Sequence, residues 1–338
     1  FTGELVLGSY HRSPVPELNL QKGIDITDIA FAPAGDTAID LSSIYSLNIS
    51  GCEFTGDATG KDQLITARAG SNVGGIAVDG CTFENGYITL NGTSARSEGG
   101  FGFKLLNSKL ADAQINAPGV QQFIMQGNEI SRTVPDGVEA DNIYMVRIGT
   151  GASAIEDFQI SGNTFTLANP SGSVLPVDEY WAAIVLRSSQ ASGIILTDNV
   201  FSSDLAEFSA LYTNTSGLAE VSGNTIAVAG DKAIVNTTGE CLDFSNNAWT
   251  DGAGNLLTDS SAIAGGIDGT VMASCYATSG TAGNYVYGVD EFIAKNGSAV
   301  GYSTETLKVD SAWSSYSFGD AIDGETGYYY GINAFSSL

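Results

Sequence analysis

FQISGNTF at residues 158–165 decides the fold, because the same eight-residue pattern recurs along most of the chain. Its positions read apolar, variable, apolar, variable, Gly or polar, Asn or Cys, variable, apolar. The copies are LNISGCEF at 47–54, IAVDGCTF at 76–83, FKLLNSKL at 103–110, FIMQGNEI at 123–130, FQISGNTF itself, IILTDNVF at 194–201, AEVSGNTI at 219–226 and LDFSNNAW at 242–249. Their sixth positions are Cys52, Cys81, Ser108, Asn128, Asn163, Asn199, Asn224 and Asn247, spaced 20 to 36 residues apart. A fixed unit returning at that interval is the signature of a solenoid with one coil per step. Within each copy the first and third residues are apolar and the second varies, so the period is 2 and the segment is strand.

A bend at the fifth and sixth positions turns the chain, so that the eighth residue points inward again. The Asn side chain is then free to bond backbone in the turn. Coils stacked about 4.8 Å apart align identical side chains into ladders. Cys52 above Cys81 fits such a ladder as a buried thiol stack replacing Asn, with a disulfide as the alternative. Further apolar strands lie between the copies, at 63–69, 87–92, 143–148, 181–187, 209–214 and 232–236. Each coil therefore carries at least two strands. No amphipathic helix of the kind a barrel or doubly wound sheet needs lies between them.

The eight copies, covering about residues 18 to 255, resemble the pectate-lyase-like superfamily of right-handed parallel β-helices. The resemblance implies an all-β fold: a right-handed parallel β-helix of roughly nine coils over 1–255. Residues 256–338 lack the motif and read as irregular final coils and a C-terminal cap, or as a small separate β-domain. The superfamily caps its open ends, and residues 8–17 are a candidate for part of the N-terminal cap. It holds polysaccharide lyases, glycoside hydrolases, phage tailspikes and bacterial adhesins, so membership leaves activity open. The Asn-Thr-Asp, Asp-Asp, Gly-His-Asp and Arg-Ile-Lys strings of its polygalacturonase-like members do not occur here.

Composition narrows the partners. A length of 338 residues with 43% apolar and 15% charged side chains describes a foldable chain, and solenoids escape the usual length rule for domain count. The net charge of −25 repels phosphate backbones, so nucleic acid is excluded, and acidic polysaccharides are disfavoured unless cations or a local arginine cluster reverse the field. Four cysteines are too few for a disulfide scaffold. No apolar run reaches the roughly 18 residues of a membrane span. The first residues already read as strand, which suggests a leader removed upstream and an extracellular or cell-surface protein.

Function in such a fold sits in the turns that outgrow the coil. After the eighth motif position the chain takes two long excursions on consecutive coils, 131–142 and 166–180, which should protrude side by side as one wall of a groove. The candidates for ligand contact are Asp136, Glu139, Tyr180 and Trp181, with Arg147 and Arg187 from adjacent strands. Aromatic faces suit sugar rings, and carboxylates accept from hydroxyls or bind Ca²⁺. No cofactor is required, and Ca²⁺ is an option. If the chain is an enzyme, Asp178, Glu179 and Asp141 are the carboxylates for acid and base. The pectate-lyase-like resemblance would add Arg147 or Arg187 as a proton-abstracting base. The single histidine, His11, lies far from this wall in sequence, and neither Cys241 nor Cys275 has zinc-site spacing. The leading expectation is a secreted adhesin-like protein that binds polysaccharide or glycoprotein surfaces. A polysaccharide-degrading enzyme is the alternative, and a structural stalk or tailspike the third reading.

Overall fold

The computed structural model describes residues 2, 4–7, 21–33, 37–93, 102–134, 144–169, 182–203 and, with short interruptions, 205–287. These residues are almost entirely strand and turn. Twenty-two strands join one sheet, and every pairing in it is parallel. No helix among the described residues is long and apolar enough to cross a membrane.

The parallel pairings fall into three columns, each linking a strand to its equivalent one repeat later. Positions 1–4 of the motif form the first, with Leu47 on Ile76, Ile76 on Phe103 and Phe103 on Phe123. Positions 7–9 form the second, with Phe54 on Phe83 and Ile130 on Phe165. The strands between motif copies form a third. It stacks Leu5, Ile39, Ile65, Ile88, Ile115, Val146, Ile184, Leu211, Ile234 and Ile267 in turn. All strand segments expected between the copies are present, from Gln63–Asp79 to Ile234–Asn236. Each coil thus has three strands where the sequence asked for at least two.

Inward-facing residues of the three columns make one continuous apolar core. Because registered parallel strands lie about 4.8 Å apart, equivalent aromatics must stack face to face. Phe31, Phe54 and Phe83 do so at 4.8 and 4.7 Å, and Phe165 sits on Phe201 at 5.0 Å. Pairing also reveals a copy of the motif at residues 24–31, with Ile24 on Leu47 and Phe31 on Phe54. Its sixth position is Ile29, which no Asn or Cys pattern detects.

The sixth-position asparagines line up as a column. Asn128 Nδ2 donates to Asn163 Oδ1 at 2.8 Å, Asn163 to Asn199 at 3.0 Å, Asn199 to Asn224 at 2.9 Å and Asn224 to Asn247 at 2.7 Å. Each Oδ1 also accepts the backbone N–H of the preceding rung, and each Nδ2 reaches back to a carbonyl of the preceding coil, as from Asn199 to Ile160 at 2.9 Å. The side chains are 0–1% exposed, so the amide satisfies turn backbone that water cannot reach. Ser108, Cys81 and Cys52 continue the column, and both cysteines are free, buried thiols.

The bend is left-handed at the fifth position of the eight copies from 24–31 to 219–226. Asp28, Gly51, Gly80, Asn107, Gly127, Gly162, Asp198 and Gly223 all have φ between 48° and 68°. Gly, Asn and Asp tolerate that region best. The order of residues is not free either. A Cβ on Gly51 would lie 2.5 Å from Asp28 Oδ1, and one on Gly223 would collide with Asp198 Oδ1. An acid at one corner therefore requires glycine at the next.

The first column is interrupted just before residues 242–244. Leu218–Ala227 pairs behind with Ile194–Thr197, but it pairs ahead with Asn246–Thr250 only from Ser222 onward. Leu242–Phe244 pairs onward, in parallel, with Val271–Tyr276, which runs antiparallel to Ala282–Tyr287 in a second, three-stranded sheet.

Candidate functional site

The two long excursions begin and end in register. Glu129–Thr133 lies parallel to Thr164–Ala168, and one more bond, Val134 N to Ala168 O at 2.9 Å, keeps the chains together as they leave the barrel of strands. They return together, with Tyr144 opposite Ala182. The strands run further than the sequence suggests, so that residues 131–133 and 166–168 belong to them. Asp136, Glu139, Asp141, Asp178, Glu179, Tyr180 and Trp181 lie outside the described residues, as does His11.

Arg147 and Arg187 are described. Both are half-buried, on the adjacent strands Tyr144–Glu156 and Ala182–Ser192. Arg147 is opposite Val185, and because side chains alternate, Val185 and Arg187 point away from the core that Ile184 and Leu186 enter. The two arginines therefore share the outer face, one pleat apart along the strand.

Neighbours on that face form a compact polar and aromatic group. The Tyr144 carbonyl accepts from Arg132 Nη1 at 3.0 Å and from Gln114 Nε2 at 3.0 Å. Since Arg132 ends the outgoing strand and Tyr144 begins the returning one, the first of these bonds closes the base of the first excursion. The Arg147 guanidinium lies over the Tyr144 ring, 5.8 Å from its centroid, a cation–π contact. Its Nε–H is buried without a partner. Burial pulls the Arg132 guanidinium below its usual pKa, opposed by Tyr87, Asp112 and Tyr144, and burial raises the Tyr144 phenol, opposed chiefly by Arg147.

Beside these groups Ala182, Val185, Tyr212 and Val235 form a second apolar cluster, 2–8% exposed, with Tyr144 packed against it. An outward face of a sheet that is both apolar and buried differs from the solvated outer face expected of a solenoid wall. Sequence reasoning found Arg147 and Arg187 but missed Arg132, Gln114, Tyr144 and Tyr212. Their association crosses strands 12 to 30 residues apart, and only the register brings them together. Among the described residues no three His, Cys, Asp or Glu side chains are grouped to hold a metal ion. Chemically, the face offers guanidinium donors, a phenol and an apolar floor: equipment for binding polar ligands with flat apolar faces. No protein-family model, no curated protein and no solved structure matches this chain.

Proposed function

We propose that the chain is a right-handed parallel β-helix of about nine coils, of the pectate-lyase-like kind, that acts outside the cell as an adhesin-like module. It binds glycans or glycoprotein surfaces through the groove beside the excursions at 131–142 and 166–180. The handedness follows from the strong preference of parallel crossover connections for the right-handed sense. One observation carries the functional reading. Two consecutive excursions are anchored in register at both ends, by strands that carry Arg132, Tyr144 and Arg147 on the outer face.

Sugar recognition needs donors and acceptors for hydroxyls together with an aromatic or apolar surface for the ring, and this face supplies both. The buried, unpartnered Nε–H of Arg147 adds a donor that a bound oxygen would satisfy. On this reading Tyr180 and Trp181 complete the apolar surface, Asp136, Glu139 and Arg187 contact hydroxyls, and Ca²⁺ is an optional bridge. The degradative alternative uses Asp178, Glu179 and Asp141 on the same excursions.

A glycan array probed with the full chain tests the proposal. Retention is expected on at least one glycan, and it should fall about tenfold in Arg147→Ala and in the Tyr180→Ala, Trp181→Ala double variant. Retention unchanged in both, with the fold intact by circular dichroism, removes the groove from consideration. Release of reducing sugar from the retained glycan, abolished by Asp178→Asn or Glu179→Gln, would replace the binding reading with the enzymatic one.

A further inference from the structure

The first column is interrupted between two consecutive coils, and this leaves an opening. Among the described residues no strand of the following coil pairs with Leu218–Val221, and Leu242–Phe244 pairs only onward, with Val271–Tyr276. Beyond Ser222 the same two coils stay closed, held by Asn224 Nδ2 to Asn247 Oδ1 at 2.7 Å and by Ile226 on Trp249. The result is a wedge hinged at the asparagine column and open at the other side. It encloses about 440 Å³. That volume lies in the range of small-ligand sites, roughly 300–1,000 Å³.

We propose that this wedge is a binding site for a neutral oligosaccharide, separate from the Arg147 face. The chemistry of its walls selects the ligand class. Leu218, Val221 and Leu242 give an aliphatic surface, while Ser222, Thr238 and Asn246 provide hydroxyl and amide groups that both donate and accept. Glu220 and Asp243 occupy the same outward motif position in consecutive coils, one on each wall, and both are exposed. Ser222 Oγ donates to Glu220 Oε1 at 2.7 Å, which fixes that carboxylate while leaving its second oxygen as an acceptor.

Carboxylates side by side on a cleft accept from vicinal hydroxyls through charge-assisted bonds, and the aliphatic wall covers the C–H face of a ring. No Lys or Arg is among the described residues that line the wedge, and the chain carries −25 overall, so an anionic glycan is repelled. A purely apolar ligand would strip water from the carboxylates without replacing its hydrogen bonds. Polyhydroxylated, uncharged rings match all of these walls at once.

The experiment is calorimetric titration of the full chain with a panel of neutral trisaccharides of glucose, galactose, mannose and N-acetylglucosamine, alongside a uronic-acid trisaccharide. Saturable binding of at least one neutral trisaccharide is expected, with no preference for the uronate. The Glu220→Gln, Asp243→Asn double variant keeps shape and removes charge, and it should weaken binding about tenfold or more. Ala219→Phe fills the wedge from an exposed position and should abolish binding. Binding should persist in Arg147→Ala, which separates this site from the groove beside the excursions. If no neutral trisaccharide saturates, if the uronate binds better, or if binding is unchanged in the amide double variant, the inference is overturned.

Discussion

The internal column of the solenoid is built in two chemistries. From Asn128 to Asn247 its rungs are asparagine, and from Cys52 to Ser108 they are thiol and hydroxyl. Each asparagine accepts the N–H of the preceding rung at 2.9–3.1 Å and donates to that coil's carbonyls at 2.9–3.0 Å. In the other half Cys81 Sγ accepts Cys52 N at 3.4 Å, and the thiols donate to Ile26 O and Ile49 O at 3.7 Å. Thiols are weak donors and weak acceptors. The position thus demands a small buried group able to accept on one side and donate on the other, and asparagine is the strong solution. Aromatic stacking does not follow this division, since Phe31, Phe54 and Phe83 stack beside the thiol rungs and Phe165 and Phe201 beside the asparagine rungs.

The sharpest way to break this contrast is Asn199→Ala. It leaves the buried Asn163 N–H without its acceptor and takes one donor from Ile160 C=O, and a loss of about 2–3 kcal/mol is expected by urea denaturation. Next is Gly223→Ala, where φ is +68° and the new Cβ meets Asp198 Oδ1. The left-handed conformation alone costs about 1–2 kcal/mol. The companion change Asp198→Gly should recover the part due to collision and leave the conformational part.

The thiol half responds to pH where the asparagine half does not. Burial is the main cause that raises the Cys81 thiol to about 11 from an ordinary 9.0. The folded state therefore holds its proton more tightly than the unfolded state, and stability falls as pH rises through roughly 9 to 11. Thermal melts across that range should show a decline that Cys81→Asn reduces, while below pH 9 this variant is expected to melt no lower than the parent. The smallest effect is on the surface. Lys109 and Glu129 pair at 2.8 Å but are 66% and 67% exposed, so Lys109→Ala should cost no more than about 0.5 kcal/mol and less in high salt.

Much of this architecture is legible in residue order. The period-2 apolar pattern, the bend at the fifth position and the recurring Asn each follow from local rules, and all eight copies quoted from the sequence stack as parallel strands. The copy at 24–31 escaped because Ile29 stands where the others have Asn, Cys or Ser. Among the described residues no rung of the column precedes Ile29. Among the site residues, the two excursions were legible as unequal turn lengths. The grouping of Arg132 and Arg147 about Tyr144 was not, because hydrogen bonds and ring contacts between coils leave no fixed spacing in sequence.

Sequence alone determined the class of fold, the polar column and the positions where turns grow, since each is a property of short segments repeated in order. Tertiary structure decided which turns share a base, which outward faces are buried, and where the columns part to open a wedge beside Glu220. Those depend on register and on which strand the next coil chooses to join, and register is set by the whole stack of coils rather than by any one of them.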